Sequence, residues 1–273
     1  MRLLELEVPI ADVELAADRL WSAGAQAVEE CAPNDGRVCL RSVLAADDHQ
    51  SAGRLGPLGS NWTLTHVDID DEPARTWREF ATPMEISPTL VIAPAWQPPP
   101  PVVAGRLTVV IEPGGAFGLG DHPTTRLSAA AVERLVSPQG RVLDVGCGTG
   151  VLAIIAALNG AGATVAVDIA EAAVEATVDN ARRNGVHRAV SVSTTAVDAL
   201  DGQFDLVVAN VLAPALVAMA PQLRRLTAAS GSLVISGVLA DSYDHVVQAL
   251  APMLVERVDI LDGWAAVELI HPP

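Results

Sequence analysis

The densest chemical signal in the chain is Asp144-Val145-Gly146-Cys147-Gly148-Thr149-Gly150. These residues follow an apolar stretch patterned as a strand and open onto one patterned as a helix. Glycine lets the backbone approach a ligand closely, and a helix start offers N–H groups that lack intrahelical partners. A dinucleotide site reads G-x-G-x-x-G, with its third glycine where Val151 stands. Here the spacing is G-x-G-x-G, preceded by an aspartate. A carboxylate at Asp144 disfavours a pyrophosphate and suits a ligand with an ammonium group. Gly146 and Gly148 are the candidate backbone contacts. A purely structural turn is the competing reading.

S-adenosylmethionine carries such an ammonium on its amino-acid tail and is the expected cofactor. Asp168 adds specificity. It ends the next strand, 22 residues after Gly146, where an acid can accept hydrogen bonds from both ribose hydroxyls. Its alternative role is to cap the following helix. Asn210 closes the fourth strand and should point into the crevice beyond the strands' carboxyl ends, as the candidate catalytic and cofactor-contacting side chain. A helix cap before Pro214 is its plainer reading. Val211 and Leu212 supply no aromatic after Asn210, which argues against a nucleobase or glutamine-amide acceptor.

A third stretch, Phe117-Gly118-Leu119-Gly120-Asp121-His122-Pro123-Thr124-Thr125, combines glycines with two hydroxyls able to cap the next helix. Thr124 or Thr125 is the expected cap. His122 reads as a hydrogen-bonding loop residue. No second His or carboxylate is spaced for a metal, so none is expected.

The elements that position these residues fall into three zones. Residues 1–70 show a βαββαβ order: strands at 3–8, 26–31, 37–43 and 61–69, and helices at 11–23 and 45–54. That is the order of a ferredoxin-like domain. It holds five Arg against twelve Asp and Glu, a charge of −7, and none of the motifs. It is expected to bind a partner or pack on its neighbour. Residues 71–105 hold Pro73, Pro83, Pro88, Pro94, Pro98 to Pro101, Trp77 and Trp96, which predicts a stiff, extended linker packed against one domain. Residues 106–273 alternate short apolar strands (141–145, 163–167, 189–193, 204–209, 232–236) with helices (126–136, 151–159, 171–184, 213–228, 241–250). This predicts a Rossmann-like parallel sheet covered on both faces, an α/β fold, closed by an edge hairpin near 253–260 and 264–270.

Bulk properties narrow the partners. The chain has 273 residues, a net charge of −16 and 17 basic residues, all of them arginine. Such acidity repels nucleic acid and anionic membranes and favours a basic protein partner, although it also simply keeps a protein dispersed. Cys31, Cys39 and Cys147 are few and odd in number, which suggests free thiols in a cytoplasmic setting. The N-terminus lacks a signal-peptide pattern. Residues 145–167 carry no charge over 23 positions, but their glycines mark a buried βαβ unit rather than a membrane span.

Taken together, the motifs resemble the bacterial ribosomal protein L11 methyltransferase family, PrmA. That family has an aromatic-Gly-Thr-Gly-x-His-x-Thr-Thr loop, a Gly-Cys-Gly-Ser-Gly-like turn, an acidic end to the second strand and Asn-Ile-Leu. This chain presents Phe117 to Thr125, Gly146 to Gly150, Asp168 and Asn210 to Leu212 in the same order. The stretch Trp77 to Trp96 is similar to the family's linker. The resemblance covers nearly the whole chain. It implies a class I methyltransferase domain behind a small recognition domain, and cofactor contacts at Thr125, Gly146, Asp168 and Asn210. It also implies a lysine amine, with an α-amine as a further acceptor, on ribosomal protein L11. Leu119 stands where the family has threonine, and Val211 replaces isoleucine. Two rivals stay open: a methyltransferase of the same fold with another protein or a small molecule as acceptor, and a non-catalytic S-adenosylmethionine-binding protein.

Overall fold

Leu4, Leu6 and Val8 are buried while Glu7, between two of them, is exposed, the period-two alternation of a half-buried strand. The computed structural model describes residues 2–22, 25–31, 35–44, 55, 58–68, 82–98, 103–112 and 121–273. The chain divides into two units, Met1–Ala81 and Thr82–Pro273.

In the first unit, β1 (Arg2–Pro9), β2 (Ala25–Glu30), β3 (Arg37–Leu44) and β4 (Thr63–Asp68) form a four-stranded antiparallel sheet of order β2-β3-β1-β4, with α1 (Val13–Ser22) between β1 and β2 in the chain. This is the ferredoxin-like strand order. Leu4, Leu6, Val8, Val38 and Leu40 pack with Ala16 and Leu20 of α1. On the opposite face Glu5 pairs with Arg41 at 2.8 Å and Glu7 with Arg37 at 2.9 Å. The helix expected over 45–54 lies outside the described residues.

The second unit begins with β5 (Met84–Ser87), β6 (Leu90–Pro94) and β7 (Leu107–Ile111), a three-stranded sheet in that order. Residues 84–94, expected as part of an extended linker, are therefore strands, and Leu90 to Ala93 are at most 2% exposed. The prolines misled because three of them stand at element boundaries. Pro83 precedes β5, Pro88 sits in the turn to β6, and Pro94 ends β6, where a missing N–H does least harm. Trp77 and the linker residues 71–81 and 99–102 lie outside the described residues.

There follow α2 (Pro123–Leu135), β8 (Arg141–Val145), α3 (Val151–Leu158), β9 (Ala163–Val167), α4 (Glu171–Arg183), β10 (Val190–Ser193), β11 (Phe204–Asn210), α5 (Ala213–Leu226), β12 (Thr227–Leu239), α6 (Asp244–Ala249), β13 (Leu254–Leu261) and β14 (Trp264–Ile270). The seven strands from β8 form one sheet of order β10-β9-β8-β11-β12-β14-β13. The first five are parallel, and β14 and β13 form the expected antiparallel edge hairpin. Sequential strand residues serve opposite faces. Val142, Ala166, Leu206 and Val234 join a core with α2, α3 and the three-stranded sheet, while Leu143, Val167, Val207 and Leu233 join one with α5 and α6. Strand order reverses between β8 and β11, which opens a crevice at their carboxyl ends. The uncharged run 145–167 is the end of β8, α3 and β9. No helix among the described residues is long and apolar enough to cross a membrane.

Candidate functional site

Asp144 is the fourth residue of the five-residue strand β8 and is 1% exposed. Its Oδ2 accepts the N–H of Ala153 in the first turn of α3 at 3.0 Å, while its Oδ1 has no hydrogen-bond partner. Burial, opposed by the Ala153 N–H and reinforced by the nearby charge of Asp168, pushes the Asp144 carboxyl up to about 7. After β8 the chain turns on Gly146, Gly148 and Gly150, all with positive φ (71°, 54° and 78°).

The N–H groups of this turn are mostly spent inside the protein. Gly146 and Cys147 donate to the carbonyl of Val167, Gly148 to Asp168 Oδ2 at 3.0 Å, and Gly150 to the carbonyl of Cys147. The sequence suggests free N–H donors here, but the fold assigns them to β9 and its end. With two carboxylates at its base, the turn is a poor cradle for phosphate. It offers instead a backbone surface without side chains beside negative charge, which favours a cationic ligand.

Asp168 follows β9. Its Oδ1 accepts the N–H of Ala170 at 3.0 Å, yet the N-cap of α4 is Ala170 itself. The carboxylate thus binds the glycine turn rather than capping the helix, and both oxygens keep accepting capacity. The next residue, Ile169, is 97% exposed. An isoleucine so placed offers an apolar surface beside a ribose-sized polar group. Sequence reasoning passed over it because single exposed aliphatics are common.

Thr125 lies in the first turn of α2, 1% exposed, with its hydroxyl unpartnered. Neither threonine caps α2. The cap is His122, whose Nδ1 lies 2.7 Å from Thr124 Oγ1 and accepts the Thr124 N–H at 3.3 Å, with Pro123 at the first helical position. A ring nitrogen that accepts an N–H carries no proton, and burial lowers the His122 pKa in keeping with this. The His122 ring packs edgewise on Trp264 at the start of β14, centroids 5.0 Å apart. Phe117 to Gly120, including Leu119, lie outside the described residues.

Asn210 ends β11 and is partly exposed. Its side chain forms no hydrogen bond among the described residues, and the N-cap of α5 is Leu212, so Asn210 is not the cap. The next peptide is fixed from both sides. A Cβ on Gly146 would collide with Val211 Cγ1, and one on Gly237, where φ is 85°, with the Val211 carbonyl. Gly237 has no fingerprint spacing, so only the fold reveals it. The fold thus gathers Asp144, Gly146, Gly148, Asp168 and Asn210 at the carboxyl ends of β8, β9 and β11. Burial pushes the Cys147 thiol up, which leaves it inert as a nucleophile. Among the described residues no three His, Cys, Asp or Glu side chains cluster as metal ligands.

Comparison with known proteins places the chain in a family. The family model described as ribosomal protein L11 methyltransferase (PrmA) matches residues 43–271. The ribosomal protein L11 methyltransferase of Bordetella parapertussis is 41% identical over 250 residues, 85% of this chain and 80% of that protein. That of Symbiobacterium thermophilum is 33% identical over 268 residues, 97% of this chain and 84% of that protein. The crystal structure of ribosomal protein L11 methylase from Lactobacillus delbrueckii subsp. bulgaricus superposes with a TM-score of 0.66 at 32% identity, covering 71% of this chain and all of that one. The larger unit has the class I methyltransferase fold, and the chain belongs to the ribosomal protein L11 methyltransferase (PrmA) family.

Proposed function

We propose that this protein transfers methyl groups from S-adenosylmethionine to lysine amines of ribosomal protein L11, met as free protein in the cytoplasm. The observation that carries the reading is the buried Asp144 carboxylate with one oxygen unpartnered, beside a glycine turn whose N–H groups are mostly used. That combination fits a cation with a polar tail and not a phosphate. The unpartnered hydroxyl of Thr125 is a second polar atom in want of a ligand.

In this reading Asp144 and Gly146 hold the amino-acid tail, and Gly148 and Asp168 the ribose. Ile169 lies against the base, and Thr125 adds a hydrogen bond. The bound cofactor supplies a methyl group already activated on a sulfonium, so the chain need provide no nucleophile. Its task is to hold a neutral amine in line, and such positioning contributes about 7–11 kcal/mol. The Asn210 side-chain oxygen and neighbouring backbone carbonyls accept the amine N–H groups and so aim its lone pair. Desolvation in the crevice favours the neutral amine, and its proton leaves to water.

The first unit carries none of these residues. The −7 charge of its residues 1–70 suits a lysine-rich protein better than nucleic acid or an anionic membrane, and we assign it substrate recognition. The direct test is transfer of a tritiated methyl group to purified L11 and to a control basic protein. Label on L11 lysines supports the reading. Binding of S-adenosylhomocysteine with no transfer to any protein would leave only a cofactor-binding role.

A further inference from the structure

α4 turns a polar face toward the protein interior. Thr177 and Asn180 are fully buried, and Asn184 follows one turn later. Asn180 uses its whole amide. Nδ2 donates to the carbonyls of Thr149 at 3.0 Å and Glu112 at 2.9 Å. Oδ1 accepts from the Glu112 N–H at 2.9 Å and from Arg183 Nη1 at 2.7 Å. Thr149 belongs to the glycine turn. Glu112 immediately follows β7, and the chain runs on from it toward Phe117–Thr125. One side chain therefore joins the glycine turn to the end of β7.

We propose that Asn180 is a positioning residue of the cofactor site, fixing the glycine turn relative to the chain that leaves β7. The inference rests on the function proposed above and adds a residue to that site. Its physical basis is the cost of the alternative. An apolar residue at 180 removes the hydrogen bonds that Asn180 gives to the Thr149 and Glu112 carbonyls and accepts from the Glu112 N–H. The turn then loses its tie to residue 112 and is free to shift. Asn184 supplies an internal control. It clamps Val110 in the same way, with 2.8 Å from the Val110 N–H and 2.7 Å to its carbonyl, and also donates to the Asn180 carbonyl at 2.8 Å, but none of these hydrogen bonds reaches the turn.

The test uses the full chain. Asn180→Leu, Asn180→Asp and Asn184→Leu are compared for urea midpoint, S-adenosylhomocysteine affinity by calorimetry, and KM for the methyl donor against KM for the protein acceptor. Asn180→Asp keeps an acceptor for Glu112 N–H and Arg183 but sets a carboxylate oxygen against two carbonyls, and it stands in if Asn180→Leu does not fold. Both Asn180 variants should lose about tenfold or more in affinity and raise the donor KM with the acceptor KM held. Asn184→Leu should lose stability while binding within about twofold of wild type. In the wild type, the Glu112 amide should exchange more slowly once S-adenosylhomocysteine is bound. Wild-type affinity in Asn180→Asp, an equal loss in Asn184→Leu, or unchanged Glu112 exchange overturns the inference alone. A wild-type protein that binds no S-adenosylhomocysteine overturns the proposed function as well.

Discussion

Thr177 of α4 stands with its Cγ2 2.6 Å from the point that a Cβ on Gly150 would occupy, while its hydroxyl donates to the carbonyl of Gly148 at 3.1 Å. The side chain seals the turn from behind, and Gly150 is glycine for two separable reasons. One is steric, the other its φ of 78°. Gly150→Ala should cost about 1–2 kcal/mol for the left-handed conformation and about 1–3 kcal/mol more for the collision. Adding Thr177→Ala should recover part of the second cost and none of the first. Urea denaturation of the two single variants and the double variant measures the coupling. Additive losses would show that the two side chains do not meet.

Asp144 makes cofactor binding pH-dependent in a defined direction. Burial raises its pKa from 3.8 to about 7, so between those values the folded protein binds more protons than the unfolded one. The Asp144 contribution to stability therefore declines as pH rises from about 4 to 7. An ammonium group beside it favours the ionised form. Binding below pH 7 should then release a proton, and affinity should climb with pH and level off above about 7. Calorimetry at pH 6 in buffers of different ionisation enthalpy reads the proton count. Asp144→Asn should abolish the release. A proton count of zero in the wild type would remove the ammonium from this carboxylate.

His122 gives the opposite dependence. Burial lowers its pKa below 6.5, and its cap requires an unprotonated Nδ1. The unfolded chain takes up protons first, so the stability contributed here is present above about pH 6.5 and is lost as pH falls through the folded value. His122→Ala should cost about 1 kcal/mol at pH 8. His122→Asn should restore most of the cap and flatten the acid limb of the stability curve. An unchanged acid limb in His122→Asn would assign it to other groups.

Division of labour between the units is open to direct measurement. Residues 82–273 alone should bind S-adenosylhomocysteine with near-normal affinity and methylate L11 far more slowly than the full chain. Full-length protein should also lose rate as salt rises, since charge complementarity mainly speeds encounter. A folded fragment that methylates L11 at the full rate would end the recognition role of the first unit.

The sheet of the larger unit is legible in the sequence because its strands are short apolar runs with glycine on their flanks. Residues 141–145 and 163–167 are strands with those bounds. The glycine turn, Asp168 and Asn210 are legible for the same reason, since each ends such a run. Other features depend on partners distant in sequence. Thr177, Asn180 and Asn184 look like the wet side of a helix, and only the backbone of residues 110–112 and 148–150 explains why that side is buried. His122 outranks two threonines as the cap because the helix begins at Pro123, two residues before the start that a Thr124 cap would set. Strand β12 starts directly after α5, at Thr227, where no loop residue marks the change of period.

The asparagines of α4 also bear on how the protein behaves when crowded. β7 is an end strand of its sheet, and an uncovered end strand is a template on which other chains can stack. Asn184 and Asn180 occupy both the N–H and the C=O of Val110 and Glu112 on the outward side. Two primary amides thus imitate a neighbouring strand. A second molecule that approaches this border finds the hydrogen-bonding groups of those two residues taken, which disfavours strand addition there.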